Sequence, residues 1–399
     1  MYPSSVFPPP FISLNPDSGE LGSGELESGE FLDPNYFQLS TYLPIYGNAV
    51  YYPNWRIYDG KPPSSLSLGY VSHVFYAFAW VKEDGTVYLS DEYADEQIPV
   101  DGTYGCLNSL ISLKWQFPEM KVLLSIGGGG EGSQNFACVA RNALSVEKFI
   151  ETTTDLAVKF RLDGFDVNWE HPETPQEAAD YFCLLARLRE QFPSPDYLLT
   201  TAMAGAQWAL QNINLTYIHQ YVDFINLMAF DFAGHWMRQS GHHAQLFTQQ
   251  TNPYNADACI ISGDSGVSYV LGQGVPAYKI LLGIPVYGHA FPGTNGINQP
   301  YEGPGGTELE EMVIDYCHLP HGGPEMHDDA LGAAYCIDWT DDGGGEAGFV
   351  SYDSTKSVKF KARYVKQKGL GGLFYWDIGA DASGERSLVA AGYTELHEF

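Results

Sequence analysis

The run Leu162-Asp163-Gly164-Phe165-Asp166-Val167-Asn168-Trp169-Glu170-His171-Pro172 alternates apolar and polar side chains. Successive side chains of a β-strand point to opposite faces. Asp166, Asn168 and Glu170 therefore share one face, and Phe165, Val167 and Trp169 share the other. A solvated edge strand alternates in the same way, but here the apolar face is large enough to pack beneath helices. The polar row then faces a second environment. Burying such groups without hydrogen bonds costs roughly 2–7 kcal/mol each, so the row predicts a built polar site. In a parallel barrel it points inward and climbs to the C-terminal mouth, where barrel enzymes place their chemistry.

Working outward, similar short runs recur on both sides. They are Ala49–Tyr52, His73–Trp80, Lys121–Ile126, Tyr197–Met203, Phe224–Ala229, Lys279–Val286 and Gly372–Trp376. Helix-like stretches such as Val146–Phe160 and Pro175–Gln191 separate them. Strands alternating with helices predict parallel βαβ units. Eight runs predict an α/β fold, a (β/α)₈ TIM barrel, with a doubly wound sheet as the alternative. The stretch 289–350 is too long for one loop and predicts a small α+β lobe inserted between strands seven and eight. The barrel is expected over 46–395. Residues 1–45 are acidic and rich in Gly, Ser and Pro. They hold too little apolar surface to offset ordering entropy, which predicts a disordered tail.

Composition narrows the partners. The 399 residues carry 49 acidic and 20 basic side chains, a formal charge of −29. Nucleic acid is excluded, because affinity for phosphate polyanions comes from Lys and Arg. An anionic membrane surface is disfavoured for the same reason, and no apolar run is long enough to span a bilayer. A neutral sugar polymer fits an acidic, aromatic-rich chain. The six scattered cysteines form no C-x-x-C pair and are expected mostly as buried free thiols, with a disulfide framework as the alternative. His318, His321 and His327 with Asp328 and Asp329 match no zinc spacing. They are expected on a solvated loop, so no metal site is expected.

The motifs taken in order resemble glycoside hydrolase family 18, the chitinases, and look closest to fungal endochitinases. The family pattern Asp-Gly-x-Asp-x-Asp-x-Glu is matched by Asp163 to Glu170. Further matches are Tyr51-Tyr52-Pro53-Asn54-Trp55, Ser125-Ile126-Gly127-Gly128, Asn226 to Asp231, Pro285 to Gly288 and Gly371 to Trp376. The resemblance covers about 48–395. It implies Glu170 as general acid, within a catalytic set that includes Asp163, Asp166 and Asn168. It implies substrate-assisted cleavage, with the sugar's own N-acetyl carbonyl as nucleophile. Trp376 is expected beneath the −1 sugar and Asp231 on sugar hydroxyls. Phe230, Met228, Tyr287, Tyr52, Phe78 and Gly128 are expected to line the substrate cleft. The family implies chitin or chito-oligosaccharides as partner, no cofactor, a monomer and an extracellular setting. The N-terminus shows no signal peptide, so a cytoplasmic location is the alternative.

The departures fall on the same machinery. Asn168 stands where the family has Asp, and Phe230 where it has Tyr. Asn168 brings no negative charge to a developing cation, and Phe230 deletes the hydroxyl that holds the acetamido group. Losing one such contact typically costs about 10²–10³ in rate. Removing the Asp charge should also favour ionisation of Glu170. Gly129-Gly130-Glu131 replace a Trp that follows the Ser-x-Gly-Gly turn, and His171 and His289 replace Tyr and Arg. His171 is expected either to titrate near neutrality at the mouth or to pack on the next helix. The expected function is binding of N-acetylglucosamine oligomers with weak or absent hydrolysis. An active endochitinase is the alternative, and cleavage of the chitobiose core of N-glycans is a third.

Overall fold

A computed structural model describes residues 46–248, 261–300, 312–338 and 347–398. The expected tail over 1–45 lies outside the described residues, as does Cys259. The other five cysteines are free thiols.

The barrel strands are β1 Gly47–Pro53, β2 His73–Val81, β3 Lys121–Gly128, β4 Gly164–Trp169, β5 Leu198–Ala204, β6 Phe224–Met228, β7 Ile280–Pro285 and β8 Gly372–Trp376. Each pairs in parallel with its neighbours in chain order. β1 pairs with both β2 and β8, so the eight barrel strands close on themselves, and Val87–Leu89 adds antiparallel to the end of β2. The expected (β/α)₈ barrel is therefore the observed one, and the doubly wound alternative is excluded.

Period-two alternation splits the apolar residues into two layers. Phe165, Val167 and Trp169 belong to the larger layer, between strands and helices, together with Val50, Tyr52, Val74 and Tyr76. Ala49, Tyr51, Phe75, Phe78, Leu123, Phe230 and Phe374 fill the barrel interior. Trp169 is held between the rings of Phe136 (stacked, 5.6 Å) and Tyr181 (edge-on, 5.4 Å). That grip fixes the phase of β4 and turns its polar row inward.

Local signals set the flanking helices. Asn142 accepts from the backbone of Leu144 and Ser145 and starts the helix Ala143–Phe160. Arg161 ends it in the left-handed conformation, and the chain turns into β4. Thr174 and Glu177 form a capping box, with Pro175 at the first position, for Pro175–Gln191.

Between β7 and β8 the chain builds a five-stranded antiparallel sheet. Its order is Val313–Asp315, Tyr287–Phe291, Gly348–Tyr352, Ala333–Asp338, Met326–Asp328. Its strands, from Tyr287 to Tyr352, occupy the stretch where an inserted α+β lobe was expected over 289–350. Its helical content among the described residues is a 3₁₀ turn, Tyr316–His318.

Candidate active site

Asp166 is the hub of the polar row. It is fully buried and accepts from Tyr51 Oη (2.8 Å), Ser125 Oγ (2.7 Å), Thr200 Oγ1 (2.7 Å) and Asn226 Nδ2 (3.3 Å). These donors come from β1, β3, β5 and β6. Ser125, Asp166 and Thr200 lie in register across three adjacent strands. Burial pushes the Asp166 carboxyl up, and the hydroxyls of Ser125, Thr200 and Tyr51 pull it back. Four donors and no competing acceptor make it a fixed anchor for the row.

Glu170 stands at the mouth, immediately after β4. Its backbone N–H donates to Ser133 Oγ at 2.8 Å, which pins the end of the strand. Burial pushes its carboxyl up to about 7; the Asn168 amide bonds it and pulls the other way, while Asp231 and Asp166 add to the rise. The Asn168 bond by itself favours the ionised form. Enclosure outweighs it, and the carboxyl is poised near neutrality. Asn168 Oδ1 is buried without a hydrogen-bond partner.

Asp231 follows β6 with a left-handed backbone (φ 58°). Tyr287 donates its hydroxyl to Asp231 Oδ1 at 2.6 Å. His289 Nε2 lies 2.9 Å and His243 Nδ1 3.6 Å from the same oxygen. Burial opposes charge on Asp231, but the two imidazoles outweigh it and hold the carboxyl far below its ordinary range.

Two cavities meet at Glu170. One, of about 230 Å³, is lined by Tyr51, Phe78, Phe374 and Trp376. The other, of about 450 Å³, is lined by His171, Trp208, Phe232 and Trp236. Glu170, Met228, Phe230 and Asp231 line both. Trp376 is stacked on Phe78 (5.6 Å, 26°) and meets the ring of Trp55 edge-on at 6.2 Å. The Phe230 ring packs edge-on against Tyr287 (6.3 Å) and Phe374 (6.0 Å). His171 meets the Trp208 ring edge-on, and burial lowers its pKa.

The structure gathers Glu170, Asp231, Phe230, Met228, Phe78 and Trp376 around the two joined cavities, with Asn168 buried and hydrogen-bonded to Glu170. Gly128 acts through its backbone: at φ 94° it makes room for the Phe78 ring, which a Cβ there would meet at 2.7 Å. Tyr287 reaches the site by way of Asp231.

Two expected residues are corrected. Tyr52 lies on the outer layer, its hydroxyl donating to the Lys61 carbonyl at 2.9 Å. Its neighbour Tyr51 faces inward, because side chains alternate along β1. Asp163 is at the foot of β4, accepting from Val122 N–H (2.7 Å) and Lys114 Nζ (2.6 Å). At about 3.3 Å per residue it sits roughly 20 Å from Glu170, too far to join the chemistry.

Tyr51, Thr200, Asn226, Trp208, Trp236 and His243 were not singled out from the sequence. Tyr51 was recoverable from strand phase. Asn226 stands at the head of the Asn226 to Asp231 motif, while Thr200, Trp208, Trp236 and His243 come from separate elements and carry no local signal.

A protonatable carboxylate at the mouth of a (β/α)₈ barrel, beside a stacked aromatic floor, is the layout of a barrel glycoside hydrolase. Residues 48–381 match the model of the glycosyl hydrolases family 18, and the chain belongs to that family. It is 34% identical to endochitinase 1 of Metarhizium robertsii over 370 residues, covering 88% of this chain and 85% of that protein. Chitinase 1 of Aphanocladium album is 33% identical, with the same coverage. The solved group IV chitinase of Ostrinia furnacalis matches with a TM-score of 0.77 at 26% identity, over 88% of this chain and 99% of that one. A class V chitinase from Nicotiana tobaccum in complex with NAG4 matches with a TM-score of 0.75 at 25% identity, over 89% and 99%.

Proposed function

We propose that this protein binds chito-oligosaccharides in the cleft around Glu170 and hydrolyses them weakly or not at all. The observation that carries this is the mismatch between an intact acid and an altered acetamido environment. Glu170 is held near neutrality, ready to protonate a glycosidic oxygen. Substrate-assisted cleavage also needs the N-acetyl carbonyl oxygen aligned on the anomeric carbon and the resulting oxazolinium cation stabilised. Asn168 offers its unpartnered Oδ1 to the acetamido N–H, which supports binding. It brings no charge to the cation. Phe230 presents a ring edge where a hydroxyl would hold the acetamido oxygen. Trp376, stacked on Phe78, offers an apolar face to the pyranose C–H face at −1.

An active endochitinase is the second reading. The raised pKa of Glu170 favours it, because a protein that only binds has no use for a carboxyl tuned to donate.

Turnover and calorimetry of a chitin hexasaccharide on one preparation separate the two. Wild type is expected to bind it, and Trp376→Ala to weaken binding by about 1–3 kcal/mol. The double variant Asn168→Asp/Phe230→Tyr is expected to gain at least about 10²-fold in hydrolysis, since both groups act on one acetamido. Adding Glu170→Gln removes the gain and leaves binding. Efficient turnover by wild type, or no gain in the double variant, sinks the binding reading.

A further inference from the structure

At the rim of the cleft, three side chains from three separate segments converge on one point. Asp231 follows β6, His243 lies in the loop beyond it, and His289 comes from the lobe strand Tyr287–Phe291. One donor atom from each lies within 4.8 Å of the other two. The His243 and His289 rings are nearly perpendicular, with centroids 4.8 Å apart. His243 is wholly buried, and neither of its ring nitrogens has a hydrogen-bond partner; His289 Nδ1 has none either. The His243 Nδ1 faces Asp231 Oδ1 at 3.6 Å, longer than a good hydrogen bond, so the buried ring recovers little of its lost hydration. Asp231 is the exposed member of the trio and lines both cavities.

We propose that Asp231, His243 and His289 form a three-ligand site for a divalent transition metal of the Zn²⁺ class, with its remaining coordination position open to the cleft beside Glu170. Two imidazoles and one carboxylate suit this class of ion, and three protein ligands with one open position is the pattern of an accessible rather than a closed site. Tetrahedral bonds of about 2.0–2.1 Å put donor atoms roughly 3.3–3.4 Å apart. The observed separations from Asp231 Oδ1, 2.9 Å to His289 and 3.6 Å to His243, straddle that value. Small side-chain shifts close the site.

The support around the ligands is built. The Tyr287 hydroxyl on Asp231 Oδ1 orients the carboxylate. The His243 backbone is held on both sides: its N–H donates to Ser351 Oγ at 3.1 Å, and its carbonyl accepts from Phe232 N–H at 2.9 Å. The sequence offered a different cluster. His321 and His327 each meet a single carboxylate, Asp338 at 3.7 Å and Glu325 at 3.4 Å, in the lobe.

The test uses the full chain, stripped of metal with a chelator. Zn²⁺ titration by calorimetry is expected to give one site per chain. Co²⁺ is expected to give the intense visible bands of a four- or five-coordinate ion. His243→Gln and His289→Gln should each weaken Zn²⁺ binding at least about 100-fold and erase the cobalt bands, while His321→Gln changes neither. Because His243 is in the core, circular dichroism checks its variant; if that variant is unfolded, His289→Gln decides. No Zn²⁺ binding by wild type, or binding that survives His289→Gln, overturns the site. The readouts require no hydrolysis, so they stand apart from the proposal for chito-oligosaccharides.

Discussion

At Glu170 two local effects oppose each other, and their balance is measurable. Burial raises the carboxyl from its ordinary value of 4.5 to about 7, against the bond from Asn168. The folded state therefore binds more protons than the unfolded chain between these values. Stability is lost as pH rises from about 4.5 through 7, and the penalty is complete above 7. Glu170→Gln removes it. The variant is expected to match wild type near pH 4 and to exceed it by about 2–3 kcal/mol at pH 8, allowing for partial exposure to the cleft. Denaturant unfolding at the two pH values checks this. An equal difference at both would mean the carboxyl titrates normally. The presence of Glu170 was plain from the strand pattern. Its pKa was not, because the enclosing side chains come from other strands.

The turn that ends β3 supports the aromatic floor. Gly127 and Gly128 have φ of 119° and 94°. A side chain at 127 would meet the Asn168 carbonyl oxygen at 2.1 Å, and one at 128 the Phe78 ring at 2.7 Å. Gly128→Ala is therefore expected to destabilise the fold by about 1–3 kcal/mol through backbone strain alone, before the ring is displaced. The same change should weaken oligosaccharide binding, since Phe78 carries Trp376. Unfolding and calorimetry on one variant read both effects. Lost stability with unchanged affinity would separate the turn from the site. The Ser-Ile-Gly-Gly motif was visible in the sequence as a likeness, but its physical task, letting Gly127 approach the Asn168 carbonyl and Gly128 the Phe78 ring, needed the packed strands.

One arginine ties the barrel to the lobe. Arg56, just beyond β1, bonds Asp377 after β8 through Nε (3.0 Å to Oδ1) and Nη2 (2.9 Å to Oδ2). It bonds Asp315 of the lobe through Nη1 (2.8 Å to Oδ2) and Nη2 (3.0 Å to Oδ1). Asp377 is 5% exposed. Arg56→Ala leaves its carboxylate buried without a cation, and such losses cost about 3–5 kcal/mol. Arg56→Lys should recover only a minor part, because an ammonium cannot bond two carboxylates in paired fashion. Equilibrium unfolding of both variants measures the difference. Equal stability of Arg56→Lys and wild type would mean that charge alone, without the planar fork, holds the join.

The barrel, the polar row of β4 and the replaced residues Asn168 and Phe230 were determined by the sequence itself. Strand periodicity and helix capping are local, so they are written in consecutive residues. Strand phase was legible where polarity marked it, as in β4. It was ambiguous where Tyr51 and Tyr52 present the same ring to both faces of β1. A long stretch between β7 and β8 was legible from length, but the antiparallel register within it was not. Only the tertiary structure decided the burial of Glu170 and the meeting of His243 with His289 and Asp231. His289 lies 58 residues from Asp231 along the chain, and no spacing rule links them. Such convergence depends on loops folded over a closed barrel, and the energies that place them are summed across segments rather than along one.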